Sequence, residues 1–289
     1  MATTRDDLTG DSIDRTSKDR TSEDKAGEDR TTGEIPAYDQ RRMRDASEIL
    51  LNARRTLTPI AELPPNLRPK TIEEAYHLQD IILEELGKVA GWKVGASSPE
   101  GEPLFAPMAE YTVTRSGSLI ANKFRRLRGV EAEIAFLVGK DLPPRSARYT
   151  REEVVGAIAS CHPALELIES GFFDPDKVDR LSMIGDLQMH GGFVYGPPTP
   201  GWESFDFSRE TVRLTVDGRT EIENGSNAAG GDLLRLVEWL ANAAQRRTGG
   251  LEEGQWITTG SWTGKTLLKR GDTAEATFGH FGSVSVRFE

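Results

Sequence analysis

Nine residues, Val130 to Val138 (VEAEIAFLV), constrain this chain more than any others, because they write charge into what otherwise reads as a buried strand. Successive side chains on a strand alternate between its faces. Glu131, Glu133, Ala135 and Leu137 therefore share one face, and Ala132, Ile134, Phe136 and Val138 the other. Two carboxylates lie side by side on a face that becomes apolar. If that face is buried, the pair must be met by a proton, a basic group or a metal ion. A strand end whose two glutamates reach water would need none of these.

The surrounding chain decides what such a strand can belong to. With 289 residues and a net charge of -10, it can bury a substantial core, and its acidity disfavours nucleic acid or an anionic membrane surface as partner. No apolar run approaches the ~20 residues of a membrane span. The N-terminus lacks the apolar centre of a secretory signal, and the single cysteine, Cys161, permits no intrachain disulfide. These features predict a cytoplasmic protein. Asp14 to Gly33 is a degenerate pentad repeat (DRTSK, DRTSE, DKAGE, DRTTG), and the first 36 residues hold almost no large apolar side chains. Such a segment cannot offset the entropy of ordering, so residues 1–36 are expected to form a disordered tail.

Residues 37–89 read as a small helical N-terminal unit. Tyr38 to about Leu57 carries an apolar stripe of Ile49, Leu50 and Ala53, and after a proline-rich connector Thr71 and Glu74 have capping-box spacing ahead of Ala75, Leu78, Ile82 and Leu86. From residue 90 to 289 short apolar runs broken by Gly, Pro and Asn predict a strand-rich catalytic domain. AGWKVG at Ala90 sets Lys93 in a strand, where it either snorkels to water or faces a pocket as a proton donor or acceptor. Thr150 to Ser160 reads as a helix opened by a Thr150 and Glu153 capping box. In CHPALELIES (Cys161 to Ser170), Glu166 shares a strand face with Ala164 and Ile168, giving a third carboxylate with apolar neighbours. GDLQMHGGFVYG (Gly185 to Gly196) is a loop running into a strand. Its His190 is the histidine best placed for chemistry, although a lone loop histidine is more often simply exposed.

Asp217 and Gly218 mark a hairpin between Thr211 to Val216 and Glu221 to Glu223. GGDLLRLVEWLANAAQRRTGG is a helix capped by Asp232, with Leu233, Leu236, Val237, Leu240 and Ala244 as its buried stripe, ended at Gly249 or Gly250. Two last strands, Gln255 to Thr259 and Val284 to Phe288, surround TGSWTG (Thr259 to Gly264). Thr259, Gly260 and Ser261 there could donate hydrogen bonds to a carboxylate, though turn formation alone would account for them.

Three strand glutamates, Glu131, Glu133 and Glu166, without cysteine or paired histidine, describe an all-oxygen site for Mg2+ or Mn2+. A 2-oxo acid, whose carboxylate and keto oxygen both face such an ion, would be a suitable small anionic substrate, with Lys93 as the proton shuttle. At this point the residues carry a resemblance. GWKVG at Gly91, VEAEIAFLVGKDL at Val130, PALELIES at Pro163, VEWLAN at Val237 and ITTGSWTG at Ile257, closing on GSVSVRFE, resemble the hydratase and decarboxylase branch of the fumarylacetoacetate hydrolase superfamily, in that family's order. The resemblance implies an α+β fold, a mixed β-sandwich or β-roll with a small helical N-terminal part, in a homo-oligomer. It implies Glu131, Glu133 and Glu166 as metal ligands, Lys93 as acid/base and the TGSWTG loop as carboxylate binder.

Three stretches depart from the family pattern. The chain between Lys93 and Met108 is short and lacks the P-D-x-G type aspartate. GDLQMHGG stands where A-D-N-x-S-x-G is usual, keeping Asp186 as a substrate-side acid but substituting Gln188 and His190. Gly230, Gly231 and Asp232 stand where G-H-P is usual. The leading expectation is a metal-dependent lyase that hydrates or decarboxylates a 2-oxo or 2-hydroxydienoate acid. The alternatives are a carbon-carbon bond hydrolase of a diketo acid and a non-catalytic 2-oxo-acid binding protein.

Overall fold

A computed structural model describes residues 37–121, 126–243 and 245–289. The proposed tail of residues 1–36 and the Ala244 end of one helical stripe lie outside the described residues. In chain order the elements are α1 (Ala37–Thr56), α2 (Ile72–Leu86), β1 (Val89–Gly95), β2 (Leu104–Ala109), β3 (Val113–Arg115), β4 (Ser118–Ile120), β5 (Gly129–Val138), α3 (Arg151–Val155), β6 (Ile158–Ile168), α4 (Arg180–Gly185), β7 (His190–Tyr195), β8 (Val212–Val216), β9 (Arg219–Gly225), α5 (Leu233–Ala243), α6 (Gln245–Thr248), β10 (Trp256–Thr258), β11 (Thr266–Leu267), β12 (Thr273–Phe278) and β13 (Gly282–Phe288).

The strands form two sheets. The larger has the order β2-β1-β10-β5-β6-β7-β3, with β11 added beside β5, and the smaller runs β4-β13-β12-β8-β9. Laid flat, seven strands at ~4.8 Å would separate β2 from β3 by roughly 29 Å. A single 3-10 turn, Glu110–Thr112, joins those two edge strands, and that length of chain reaches ~14 Å at most. The large sheet must therefore curl into a roll, and β2 does lie against β7. Met108, Ala135, Ala164, Phe193 and Trp256, from five strands, pack together on the inner face of the roll. The alternation in β5 puts Glu131 and Glu133 on this same face.

The opposite face carries the main core. Ala132, Ile134 and Phe136 of β5 and Leu165 and Leu167 of β6 pack with Leu214, Ala276, Phe278, Val284 and Phe288 of the smaller sheet and with Leu236 and Leu240 of α5. The β8–β9 hairpin turns through Asp217 (φ 49°) and Gly218 (φ 76°), both left-handed as its two-residue turn requires. β1 runs parallel to β10 at so close an approach that a Cβ on Gly91 would stand 2.2 Å from the Trp256 carbonyl oxygen. Helices α1 and α2 pack on each other around Met43, Leu50, Leu78 and Ile82, and Phe172 and Leu187 extend this cluster toward the loops that follow β6. Thr71 caps α2, its hydroxyl accepting from Glu74 N.

Two sequence expectations change. The helix predicted over Thr150 to Ser160 is one turn, Arg151–Val155; its capping box is present, but Gly156 ends it and β6 begins at Ile158, paired with Val138. The loop expected at Gly185 closes α4, and a 3-10 turn at Leu187–Met189 leads into β7. β2, β3, β4, β11 and β12 were not anticipated.

Candidate metal and proton-transfer centre

Register alone assembles the centre. In the antiparallel β5–β6 pair Glu131 stands directly opposite Glu166 and Glu133 opposite Ala164. Across the other side of β5, Thr258 pairs with Ala135, and Lys93 pairs with Thr258. Lys93, Glu133 and Glu166 thereby converge on the inner face at one end of the roll. Like charges directly opposed across a ladder repel, so three glutamates here need a countercharge. Glu133 and Glu166 are buried, Glu131 is half-buried, and Lys93 is 14% exposed.

Glu166 is bonded at both oxygens. Lys93 Nζ donates to Oε2 at 2.8 Å and His190 Nδ1 lies 2.9 Å from Oε1. Lys93 also donates to the Gln188 carbonyl at 3.0 Å. Glu133 Oε2 accepts from the Thr258 hydroxyl and from Gly260 N. Burial, then the neighbouring Glu166 charge, pushes Glu131 up to about 7. The same two causes raise Glu133 well above the usual carboxylate range. Burial would raise Glu166 too, but Lys93 and His190 hold it below its ordinary value. For Lys93 burial favours the neutral amine, and the charges of Glu166, Glu131 and Glu133 outweigh it, so its pKa is raised. In the metal-free protein Lys93 is thus an ammonium.

One carboxylate oxygen from each of Glu131, Glu133 and Glu166 lies within 4.8 Å of the others, and among the described residues this is the acidic cluster with the reach to hold a cation. Around one octahedral magnesium at ~2.1 Å adjacent oxygens stand ~3.0 Å apart and opposite ones ~4.2 Å, so the three carboxylates close on one ion with movements of about an ångström each. The donor set is all oxygen, and two of its members are carboxylates that burial leaves poorly stabilised as anions. Both facts fit a hard divalent cation.

The remaining predicted residues are placed differently. His190 is buried at the start of β7 instead of exposed on a loop. Gln188 reaches the cluster through its backbone carbonyl, while its side-chain amide donates to Phe105 O at 2.9 Å. Asp186 is fully buried and turned away from ligand duty: Oδ1 accepts from Arg54 Nε at 2.6 Å, and Oδ2 from the Ser170 hydroxyl and Gly171 N. The Thr259 hydroxyl donates to Ile134 O, and Gly260 N serves Glu133. Of the three predicted donors Thr259, Gly260 and Ser261, this leaves the Ser261 hydroxyl, whose oxygen accepts from Gly264 N while its O–H can donate outward.

Four participants were not anticipated. Thr258 bonds Glu133; Asn227 Nδ2 donates to Thr259 O and Gly260 O and so holds the loop. Arg54 binds the 186–190 segment, and Lys265, paired with Asp176, acts electrostatically on Glu131. Thr258 was legible, since it precedes the TGSWTG loop in a strand. The other three act across long sequence separations that no local pattern records.

The sequence profile of the fumarylacetoacetate (FAA) hydrolase C-terminal family matches residues 86–289. The 2-keto-4-pentenoate hydratase of Paraburkholderia xenovorans (strain LB400) is 27% identical over 256 residues, covering 85% of this chain and 94% of that protein. The 2-oxo-hept-4-ene-1,7-dioate hydratase of Escherichia coli is 29% identical over 236 residues, covering 75% and 87%. Among solved structures, the 4-oxalocrotonate decarboxylase from Pseudomonas putida G7, complexed with magnesium and adipate, superimposes with a TM-score of 0.75 at 25% identity, over 86% of this chain and 98% of that one.

Proposed function

The chain belongs to the fumarylacetoacetate hydrolase family, and on that premise we propose that it is a divalent-metal-dependent lyase that hydrates or decarboxylates a 2-oxo acid in its 2-hydroxydienoate form. The observation that carries the proposal is the buried cluster of Glu131, Glu133 and Glu166 with Lys93 bonded to Glu166 at 2.8 Å. It supports a cation site beside a proton donor on one patch of the roll's inner face.

The three glutamates would hold the cation, magnesium or the equally oxygen-seeking manganese. When bound there, the ion would supply Lewis-acid polarisation of a 2-oxo group. The chain's own groups do the rest. Lys93 starts as an ammonium and can donate a proton to a carbon or oxygen of the substrate; with the carboxylates neutralised, burial would lower the amine's hold on its proton, and the neutral amine can take a proton back as a base. His190 fixes the second oxygen of Glu166, so the carboxylate cannot swing away when Lys93 transfers its proton. Ser261 offers its hydroxyl to the substrate carboxylate from a loop pinned by Asn227. The rolled sheet closes the other end with Phe193 and Trp256, which excludes water there.

Of the three departures noted in the sequence, the GDLQMHGG stretch reaches this centre, its Gln188 carbonyl and His190 bonding Lys93 and Glu166, while the other two contribute none of its residues. The relatives' names include substrates with one and with two carboxylates. A panel of 2-hydroxydienoates with and without a distal carboxylate, under added magnesium, tests the proposal by following dienol absorbance and CO2 release together. Loss of absorbance without CO2 assigns a hydratase, and coupled CO2 assigns a decarboxylase. Turnover of none of them, alongside cleavage of a 2,4-diketo acid into two acids, would replace the lyase with a hydrolase. We place the enzyme in the cytoplasm, in keeping with its free, buried Cys161, and as a homo-oligomer, in keeping with the exposed Tyr111 and Leu119 that line one cleft with Leu51 and Leu86.

A further inference from the structure

Arg54 lies on α1, outside the strands that carry the centre, yet its side chain is only 13% exposed and its guanidinium grips three separate residues of the loops behind it. Nε donates to Asp186 Oδ1 at 2.6 Å and one terminal nitrogen to His190 O at 3.0 Å. The other terminal nitrogen donates to Asp186 O at 2.9 Å and to Glu169 O at 3.2 Å. Asp186 in turn binds Ser170 and Gly171, beyond the end of β6. A single planar fork therefore ties the segment that follows Glu166 to both ends of Asp186–His190.

What lies between those ends is strained. Leu187, Gln188 and Met189 have φ values of 55°, 50° and 63°, three consecutive non-glycine residues in the left-handed region. L-residues enter that region singly and at a cost, and a run of them persists only where the surroundings enforce it. The run has two consequences at the centre. It aims the Gln188 carbonyl at Lys93 Nζ, and it delivers His190 to β7 with Nδ1 on Glu166. Released from the fork, the segment would relax toward right-handed geometry and both contacts would loosen.

We propose that Arg54 is a positioning residue for the proton-transfer pair: through Asp186 and the His190 carbonyl it enforces the left-handed 187–189 turn that orients Lys93 and His190 on Glu166. The inference rests on the function proposed above for the role of Lys93 in turnover, though the clamp itself does not. Lysine cannot reproduce the fork, because its ammonium can keep the ion pair to Asp186 but cannot reach His190 O and Glu169 O as well.

The test compares the wild type with Arg54→Lys, and with Arg54→Met where that variant folds, in three measurements. Magnesium affinity by calorimetry and KM should change by less than about tenfold, because the three ligand side chains and the carboxylate-binding loop are retained and only the bonds that orient Glu166 loosen, while kcat falls about 100-fold, the scale of an ångström misplacement. Amide hydrogen exchange should show residues 187–191 of the wild type protected as strongly as the rest of β7, and faster exchange there, confined to that segment, in Arg54→Lys. Wild-type kcat in folded Arg54→Lys overturns the proposal. So does a parallel loss of magnesium affinity, which would mean general damage. Rapid exchange of 187–191 in the wild type overturns it without any variant. If the wild type turns over no candidate substrate, the proposed function fails, and the exchange and magnesium data still decide the clamp.

Discussion

Loading the carboxylate cluster with magnesium should expel protons, and the number follows from the environment of each glutamate. In the metal-free protein at pH 7, Glu131 at about 7 is half protonated, Glu133 is shifted in the same direction by burial and the Glu166 charge, and Glu166, despite its burial, is held low by Lys93 and His190. A cation that ligates all of them requires every one ionised, so binding at pH 7 releases about half a proton from Glu131, and whatever proton Glu133 holds adds to it. Glu131 alone then makes the apparent affinity rise about threefold between pH 6.5 and pH 7.5, and Glu133 adds to that rise. Calorimetric titrations at fixed pH, in buffers of unlike ionisation enthalpy, read the proton count as the slope of observed against buffer enthalpy. The same linkage governs stability. Folding raises the Glu131 pKa from its ordinary 4.5 to about 7, so its contribution is fully present below pH 4.5 and is lost as pH rises through 7. At ~1.4 kcal/mol per pH unit, Glu131 alone leaves the metal-free protein about 3 kcal/mol less stable above that window than below it. Magnesium should therefore raise the melting temperature more at pH 8 than at pH 6. A buffer slope near zero, with affinity flat from pH 6 to pH 8, would refute the idea that these glutamates share one buried cation.

Three further outcomes are expected. Glu166→Gln keeps the shape but removes the charge that faces both Lys93 and His190, so magnesium affinity should drop more than about 100-fold in the same calorimeter. Gly91→Ala drives a methyl group against the Trp256 carbonyl and should cost about 2 kcal/mol or more, seen as a lower melting temperature; unchanged melting would show that β1 and β10 can part without penalty. Deleting residues 1–36 should leave melting temperature and turnover within error, and a large loss of either would show that the tail docks on the fold.

Much of the centre was legible because it sits on strands, where alternation alone assigns faces. Glu131, Glu133 and Glu166 could be read together from three apolar contexts, and Asp217 and Gly218 announced their hairpin. Other elements were hidden for physical reasons. The Thr150 capping box is real, but pairing of Ile158 with Val138 takes the chain into β6 after one turn. In β12, Ala274, Ala276 and Phe278 alternate inward against Thr273, Glu275 and Thr277, but alanine is too weakly apolar to make the pattern stand out. β2 carries Pro107, which suits an edge strand and hides it from propensity. Asp186 was expected to meet substrate because nothing near it in sequence discloses Arg54, 132 residues away. Partners brought together by tertiary closure leave no local trace, so the carboxylate cluster could be read from sequence and the contacts that support Lys93 could not.

The most direct measurement of the central claim compares the wild type with Lys93→Met on one confirmed 2-hydroxydienoate, with magnesium binding measured on the same samples. Methionine keeps the length and bulk of the stem and removes the amine that bonds Glu166 and the Gln188 carbonyl. Lys93→Met should still bind magnesium at one site per chain while kcat falls about a hundredfold or more, the scale of lost general acid–base catalysis. Near wild-type turnover in Lys93→Met would contradict that claim and move the proton shuttle to His190.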